Sequence, residues 1–232
     1  MKASDNKNFS FVPNRDSNGD CIPKHANYTA AANLNSPAKQ VIANPARVGE
    51  LFSVKDADGN DVLLSAEWIA GFVDGEGTLT FFLNKNSDLA LGFQLQSAFI
   101  IVQGESDYLL LTAIANFFGY GTVNVNRKDS TSVRYQYRIV DTTTQVNLII
   151  PFFEVTKLRT KKGKEFIVWA EWTKFFAEGK HKESWPTGMI SLLEGLKSLK
   201  YVGAQTSQAE SFIASCDKWI AHVKSVPKPN FK

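Results

Sequence analysis

The chain has 232 residues and is 44% hydrophobic, so it is long enough for one domain of ordinary size with a real core and with extensions. Its formal net charge of +3 is compatible with a nucleic-acid partner but does not require one, because local clustering of charge matters more than the total. Two cysteines are too few for a disulfide framework or a zinc site, the N-terminus lacks the apolar core of a secretion signal, and no apolar run approaches the ~20 residues of a membrane span.

The first 60 residues are rich in Asn, Ala, Ser, Asp and Pro and show little periodicity, which predicts a partly irregular N-terminal extension. The pattern does not decide whether this extension is a remnant of an upstream reading frame, an arm that touches DNA or a strap over the core. The acidic run from Asp56 to Asp61 lacks the terminal glutamate of a calcium loop, so a plain turn is favoured there.

The segment from Trp68 to Gly77 reads Trp-Ile-Ala-Gly-Phe-Val-Asp-Gly-Glu-Gly, an apolar run with a small pair followed by two acids. The hydrophobic period changes from 3.6 to 2 at Gly77. We therefore predict a helix that ends at Asp74 and Glu76 and a strand that begins at Thr78.

Two acids at a helix C-terminus are electrostatically awkward, because the terminal carbonyls already carry partial negative charge. A cation is expected beside them, and phosphodiester hydrolysis by Mg²⁺ needs such a place, with a few hard oxygen ligands and open positions. However, Asp-Gly-x-Gly taken alone is more often a solvated turn. The spacing by itself leaves both interpretations open.

Two alternating strands follow, from Thr78 to Asn84 and from Leu91 to Gln103, and then a helix over residues 107 to 118 that Gly119 caps. The first strand is predicted to face the core with Leu79, Phe81 and Leu83. The opposite face of the two strands is predicted to carry Thr78, Thr80, Phe82, Asn84, Gln94, Gln96, Ala98 and Ile100.

A β-hairpin is predicted from Gly121 to Ile139, and its two faces differ in polarity. The apolar face carries Val123, Val125, Val133, Tyr135, Tyr137 and Ile139, and the polar face carries Thr122, Asn124, Asn126, Lys128, Arg134, Gln136 and Arg138. A wet face is ordinary for an antiparallel sheet. These polar side chains are of types that bond base edges in the major groove, so if the acidic helix end beside them holds a metal, a reading surface becomes the better interpretation of this face.

After Val140 the pattern returns to helix, with an interruption predicted at Pro151. Five positive charges then lie between Lys157 and Lys164, ahead of a helix predicted from Glu165 to Phe176. Such a run is usually a solvated loop. Next to a scissile phosphate, however, a lysine would offset transition-state charge.

The rest of the chain shows helical periodicity after a polar segment that contains His181. A lone histidine in such a segment is interpreted as an exposed loop residue without a catalytic role. Amphipathic helices are predicted over residues 188 to 201 and 207 to 224.

The string from Trp68 to Gly77 closely resembles the signature of the LAGLIDADG homing endonucleases, and the resemblance covers roughly residues 62 to 200. Segments 99 to 103, 110 to 121, 149 to 153, 158 to 162 and 166 to 169 match the family in the family's order. The resemblance implies an α+β fold with an αββαββα core over residues 61 to 200, whose saddle-shaped antiparallel sheet lies over the DNA major groove. The extension 1 to 60 and a C-terminal helix and tail, 201 to 232, would flank this core.

The resemblance also assigns roles to single residues. The last acid of the signature, which binds metal in the family, is Glu76, with the Gly75 carbonyl as a further metal ligand. Gln103 matches a position that orients water beside the metals. Lys161 or Lys162 matches the basic residue near the scissile phosphate, and the sequence does not say which of the two.

Two surfaces follow from the same resemblance. Signature helices pack together at a twofold axis, which implies an interface of Ala70, Gly71, Val73 and Asp74, the last also with a capping role. DNA contacts are expected from the saddle residues Thr78, Thr80, Asn84, Gln94, Gln96, Asn124, Asn126, Lys128, Arg134, Gln136 and Arg138.

Residues 141 to 232 contain no second signature, so the resemblance implies a homodimer that supplies one Glu76 for each strand of double-stranded DNA. The expected target is a long pseudo-palindromic site, cut across the minor groove to leave 3′ overhangs. The expected cofactor is Mg²⁺, with Mn²⁺ as a substitute and Ca²⁺ supporting binding without cleavage. Such proteins are usually encoded in group I introns of chloroplast or mitochondrial genomes and spread the intron, which implies an organellar location.

Two alternatives remain at this stage. One is a non-cleaving relative, either an intron RNA maturase or a ribosome-associated nucleic-acid-binding protein. Because such relatives commonly lose the acid, the retained Glu76 favours the enzyme. The other is an interaction domain with an accidental signature, against which the ordered downstream matches weigh.

Overall fold

The computed structural model describes residues 52–55, 61–202 and 207–229. The strands are β1 (Phe52–Lys55), β2 (Asp61–Leu64), β3 (Gly77–Lys85), β4 (Phe93–Gly104), β5 (Thr122–Lys128) and β6 (Val133–Ile139). The helices are α1 (Ala66–Glu76), α2 (Tyr108–Phe118), α3 (Thr142–Thr144), α4 (Ile150–Thr156), α5 (Lys161–Ala177), α6 (Lys180–Glu183), α7 (Thr187–Val202) and α8 (Ser207–Ser225), with a 3₁₀ turn at Glu105–Asp107 and a π-helical turn at Gln145–Ile149. Within these residues no helix is long and apolar enough to cross a membrane.

The central element is a four-stranded antiparallel sheet in the order β3-β4-β6-β5. Its α1-β3-β4-α2-β5-β6 sequence, followed by helices, confirms the predicted α+β fold class. A separate antiparallel pair joins β1, near the end of the predicted N-terminal extension, to β2 at the start of the predicted core. The remainder of that extension, with the turn predicted between Asp56 and Asp61, lies outside the described residues.

Helix α1 and strand β3 join without a loop, as the change of period predicts. Ser65 caps the helix by accepting a hydrogen bond from the Trp68 N–H at 3.1 Å. At the other end, the Gly77 N–H donates to the Val73 carbonyl, and a Cβ on Gly77 would lie 2.7 Å from that oxygen. Gly77 is therefore the residue that lets the strand start directly after the acids.

One face of the sheet carries the hydrophobic core. Phe99 in β4 makes edge-to-face contacts with Phe118 of α2, Tyr137 of β6 and Phe153 of α4, at centroid distances of 6.0, 6.1 and 5.8 Å. The buried Tyr137 hydroxyl donates to the Tyr120 carbonyl at 2.7 Å, and burial raises the Tyr137 pKa well above its ordinary value. The sheet is thus packed from one side, and its other face carries polar side chains together with Phe82, Ala98, Ile100 and Val102.

The interruption predicted at Pro151 takes the form of a change of helix type just before this residue and not of a break in the helix. A π-helical turn at Gln145–Ile149 leads directly into α4, where Pro151 lies at the first turn and its missing N–H costs no helical hydrogen bond. The buried Gln145 amide holds this turn against the sheet by donating to the carbonyls of Ser97 at 3.1 Å and Ile139 at 2.9 Å.

Helix α5 begins at Lys161 and not, as the sequence predicted, at Glu165. Thr160 is its N-cap and accepts from the Lys162 N–H at 3.2 Å. Three lysines of the basic run therefore lie in the first turn of a helix, where the helix dipole disfavours positive charge. That feature hid the helix start from the sequence pattern.

His181 is buried and not, as the sequence predicted, exposed. Its ring lies 4.6 Å from the Phe176 ring, and burial, together with the charge of Lys182, lowers the His181 pKa to about 4. The imidazole is a neutral packing residue between α5 and α7.

The last helix follows the sequence prediction closely and is attached to the sheet. Trp219 of α8 packs on Phe93 at the start of β4, with ring centroids 4.5 Å apart. The Lys197 ammonium of α7 bonds the Asp217 carboxylate of α8 at 2.8 Å. Helices α7 and α8 therefore lie on the core face of the sheet.

Candidate active site and nucleic-acid interface

Glu76 and Gly75 lie exposed at the C-terminus of α1. Helix geometry leaves the last carbonyls of α1 without intrahelical partners, and its last turn contains no basic residue. The Gly75 carbonyl and the Glu76 carboxylate therefore form a negative, oxygen-rich helix end. Hard oxygens of this kind fit Mg²⁺ or Mn²⁺. In the part of the chain that the structure describes, no cluster of three or more His, Cys, Asp or Glu side chains occurs, so these two ligands are a partial set.

Asp74 ties the acidic helix end to the start of α5. Its carboxylate accepts hydrogen bonds from the Arg159 N–H at 2.7 Å, from the Thr160 N–H at 3.0 Å and from the Thr160 hydroxyl at 2.8 Å. Hydrogen bonds to a carboxylate are stronger than neutral ones, and three of them converge here. Asp74 is therefore a capping residue across 86 positions of sequence.

Lys162 lies beside the acidic end as a result. Its ammonium donates to the Gly77 carbonyl at 2.5 Å and lies 3.7 Å from the Glu165 carboxylate, and its side chain is 15% exposed. Lys161, the neighbouring residue, is exposed at the first position of α5. The structure thus separates two lysines that the sequence left equivalent, because only Lys162 bonds the residue that follows Glu76.

Gln103 lies at the end of the sheet where β3 follows the acidic end of α1. Gly77 pairs with Ile101 in the β3–β4 register, and Gln103 follows Ile101 by two residues on the same face. Two strand residues span about 7 Å. Gln103 is half-buried.

The strand register places the predicted reading residues on one face. Thr122, Arg138, Ile100 and Thr78 form one cross-strand row, and Asn124, Gln136 and Val102 form the next. Asn84 pairs with Gln94 at the far end. Thr80 shares this face but is only 5% exposed, so its side chain is closed to a ligand in this conformation.

A β-bulge changes the prediction for β5. The register shifts between Val125 and Arg127, so that Arg127 pairs with Arg134 and Lys128 pairs with Val133. Lys128, predicted on the polar face, therefore lies on the opposite face, and Arg127, which sequence reasoning missed, takes its place. The available signal was that Arg127 falls where the alternation requires an apolar residue.

Arg138 is held in place near the middle of the polar face. Its guanidinium donates to the Gln96 side-chain oxygen at 2.7 Å and lies 5.2 Å from the Phe82 ring centroid. Both partners come from the first two strands of the sheet. The side chain is therefore held by contacts within the sheet itself.

The exposed stripe of α1 differs from the predicted interface. Ala70 is 4% exposed and Val73 is fully buried, so both face the core of their own chain. Gly71 is exposed, and a Cβ there would meet no atom within 4 Å. Beside it, Trp68, which is 40% exposed, stacks on Phe72 at a centroid distance of 4.9 Å. Of the four predicted residues, only Gly71 belongs to the outer stripe, because Asp74 is half-buried against α5.

Comparison with known proteins gives consistent results. The family model described as LAGLIDADG endonuclease matches residues 69–173. The chain is 31% identical over 150 residues to the "Probable intron-encoded endonuclease 2" of Neurospora crassa, a match that covers 64% of this chain and 32% of that protein. It spans only about a third of the length of that curated relative.

Two solved structures share the fold. The homing endonuclease I-TnaI has a TM-score of 0.55 and 30% identity, over 67% of this chain and 98% of that chain. I-SmaMI, bound to an uncleaved DNA target in the presence of calcium ions, has a TM-score of 0.54 and 22% identity, over 66% of this chain and 50% of that chain. The second likeness concerns the fold alone.

Proposed function

Since the chain belongs to the LAGLIDADG endonuclease family, we propose that it is a homing endonuclease that binds a long duplex DNA site as a homodimer and hydrolyses both strands. The observation that carries this proposal is the junction of α1 and α5. There an exposed Glu76 stands beside Lys162, which bonds the carbonyl of the very next residue, Gly77.

Glu76 and the Gly75 carbonyl are the ligands that would hold a divalent cation. When bound, the cation supplies Lewis acidity toward the scissile phosphate and lowers the pKa of a water molecule beside it. Mg²⁺ is the proposed ion, and Mn²⁺ prefers similar oxygen ligands. Ca²⁺ is proposed to support binding without cleavage, and the calcium-containing I-SmaMI complex with uncleaved DNA is consistent with that proposal.

The other side chains at this end have roles that their positions support. Lys162 would present positive charge to the phosphate and offset the charge that develops during hydrolysis. Gln103 would orient water through its amide, which both donates and accepts. Asp74 would act indirectly, by fixing the α5 N-terminus and therefore Lys162.

A homodimer is proposed because one chain holds one Glu76 and a duplex has two strands. The exposed stripe of α1, with Gly71, Gly75, Trp68 and Phe72, is the surface on which two copies would pack. Two glycines allow close approach of the helix backbones, and the stacked aromatic pair adds apolar area. Twofold symmetry then predicts a pseudo-palindromic site, cut across the minor groove with 3′ overhangs.

The polar face of the sheet is the proposed reading surface for the major groove. Its exposed side chains match base edges in hydrogen-bonding type. The DNA contacts expected from the sequence, without Thr80 and Lys128 and with Arg127 added, are Thr78, Asn84, Gln94, Gln96, Asn124, Asn126, Arg127, Arg134, Gln136 and Arg138.

The biological role that we propose is mobility of a group I intron that encodes the chain in an organellar genome. The Neurospora relatives named as probable intron-encoded endonucleases support this assignment. Cleavage of the intronless allele would then allow the intron to spread.

The test begins with selection of duplexes from a random library with the wild-type protein, in Ca²⁺ for binding and in Mg²⁺ for cleavage. Glu76→Gln is then compared with Glu67→Gln, which alters an exposed acid in the first turn of the same helix. We expect Glu76→Gln to bind the selected duplex and not to cut it, and Glu67→Gln to behave as wild type. Cleavage by Glu76→Gln at the wild-type rate would remove Glu76 from the active site. Tight RNA binding without any metal-dependent nicking of DNA would favour the maturase alternative.

A further inference from the structure

Three side-chain amides on the polar face form a continuous hydrogen-bonded chain. The Asn126 amide nitrogen donates to the Gln136 side-chain oxygen at 2.9 Å, and the Gln136 amide nitrogen donates to the Asn124 side-chain oxygen at 2.9 Å. The Asn124 amide nitrogen in turn lies 3.5 Å from the Thr122 hydroxyl. We call Asn124, Gln136 and Asn126 the amide chain.

The sheet register produces the amide chain. Gln136 lies directly opposite Asn124, and Asn126 is the extra residue where the register of β5 shifts. Gln136 is half-buried between two exposed asparagines, so its one side chain serves both. The arrangement depends on a single residue of β6.

These contacts lock the three amides to one another. An amide has an oxygen that only accepts and a nitrogen that only donates. If one amide of the chain rotated by half a turn, two donors or two acceptors would face each other, and the neighbouring amide would have to rotate as well. Each asparagine uses one amide hydrogen within the chain at most, which leaves its second hydrogen for a base edge.

A second unit on the same face is built differently. Arg138 bonds Gln96 and lies over Phe82, as described above. Within the described residues no hydrogen bond joins this unit to the amide chain. Part of the polar face therefore consists of two internally connected units, and the other residues of the reading surface belong to neither.

We propose that Gln136 is a specificity-determining residue that couples the base preferences of Asn124 and Asn126, so that the base pairs they contact are read as one unit. The inference rests on the proposed DNA binding by this face. It concerns whether the effects of substitutions on base preference are additive, and not whether DNA is bound.

The experiment measures relative affinities for all single-base-pair variants of the selected duplex, in Ca²⁺, by competition. Asn124→Ala and Asn126→Ala are combined in a double-mutant cycle, first with Gln136 present and then with Gln136→Met, which keeps the length of the side chain and removes the amide. The base pair that each asparagine contacts is the position whose preference relaxes in its own alanine variant. We expect the cycle to be non-additive by about threefold or more with Gln136 and additive with Gln136→Met.

Gln136→Glu sharpens the test because it keeps the size of the side chain and replaces an amide that donates by a carboxylate that only accepts. The added negative charge weakens binding of every duplex, so the relative preferences are the readout. A carboxylate still accepts from Asn126 but cannot donate to Asn124, so Asn124 must rotate and Asn126 need not. We expect the base preference to change at the position of Asn124 and to persist at the position of Asn126. An unchanged preference at the Asn124 position would overturn the inference.

The matched control pairs Asn126→Ala with Gln96→Ala, one from each unit, and this cycle should be additive. Additivity of the Asn124 and Asn126 substitutions in the presence of Gln136 would overturn the coupling, while sequence-specific binding by the same proteins would leave the proposed function standing. Failure of the wild-type chain to enrich any duplex would instead overturn the proposed function and this inference with it.

Discussion

The α1–α5 junction and the polar face of the sheet use hydrogen bonds in opposite ways. At the junction, Asp74 and Lys162 bond chiefly main-chain groups, the N–H groups of Arg159 and Thr160 and the carbonyl of Gly77, with the Thr160 hydroxyl as a further donor to Asp74. On the sheet, polar side chains such as Gln136 and Arg138 bond other side chains. Main-chain anchors fix geometry whatever the neighbouring side chains are, whereas side-chain partners change with a substitution. The residues proposed for DNA cleavage are therefore positioned by the backbone, whereas those proposed for base recognition are positioned by neighbouring side chains that a substitution can change.

Substitution of Lys162 has the largest expected effect on the cleavage rate, because its ammonium lies at the α1–α5 junction. Lys162→Met should lower kcat on the selected duplex by about 100-fold, since it removes a charge beside the developing negative charge. Lys161→Met, the matched control, should change kcat by less than about threefold. Single-turnover cleavage assays measure both, and equal losses in the two variants would contradict the distinction between the lysines.

Substitution of Trp68 tests whether cleavage requires two copies of the chain packed through α1. Trp68→Glu places a charge in the stripe of α1 proposed to pack on a second chain, and burial of such a residue at an interface is often worth about 2 kcal/mol or more. We expect the variant to sediment as a monomer at micromolar concentration and to lose cleavage. Ile167→Glu, at an exposed apolar residue of α5, is the control that should stay dimeric. A wild-type protein that is strictly monomeric on DNA would remove the dimer from the proposal.

Asp74 tests the main-chain anchoring itself. Asp74→Ala leaves the N–H groups of Arg159 and Thr160 without their carboxylate acceptor, which should cost about 2 kcal/mol of unfolding free energy at this half-exposed site. Because Lys162 is then displaced, kcat should also fall by about tenfold, without a comparable loss of binding. Urea unfolding and cleavage rates measure the two effects, and Asp88→Asn, at an exposed acid of the β3–β4 turn, is the control.

Arg127 gives the smallest effect and tests the bulge in β5. Arg127→Ala should weaken binding of the selected duplex by about tenfold, within the range for a single base or phosphate contact. Lys128→Ala should have little effect, because the bulge turns Lys128 to the other face. Titration of both variants against the duplex decides between this register and unbroken alternation, which predicts the reverse order.

The sequence was sufficient for features that depend on local periodicity. The change of period at Gly77 predicted the junction of α1 and β3, and the alternation around Gln136 and Arg138 predicted the face they share. Both signals come from neighbouring residues. In these elements the buried side is the one that the spacing of apolar residues predicts.

The features that the sequence did not predict depend on long-range contacts or on local exceptions. Ala70 and Gly71 are adjacent small residues, and only packing against the core decides that the first is inside and the second outside. Thr160 is an ordinary N-cap residue type, but its contact with Asp74 spans 86 positions of sequence, and the lysines that follow oppose the usual charge pattern of a helix N-terminus, so the start of α5 was missed. The bulge after Val125 shifts the β5 register by one residue, so Lys128 lies on the opposite face from the one predicted.

The central claim is that two copies of Glu76 hold cations against DNA at a shared axis. The most direct measurement is a crystal structure of the protein with its selected duplex in Mn²⁺, with anomalous scattering used to locate the ions. The account predicts anomalous peaks in the first coordination shell of Glu76 from each of two chains, next to the phosphates that are cut. Two Glu76 carboxylates far from each other, or peaks that contact neither of them, would contradict it.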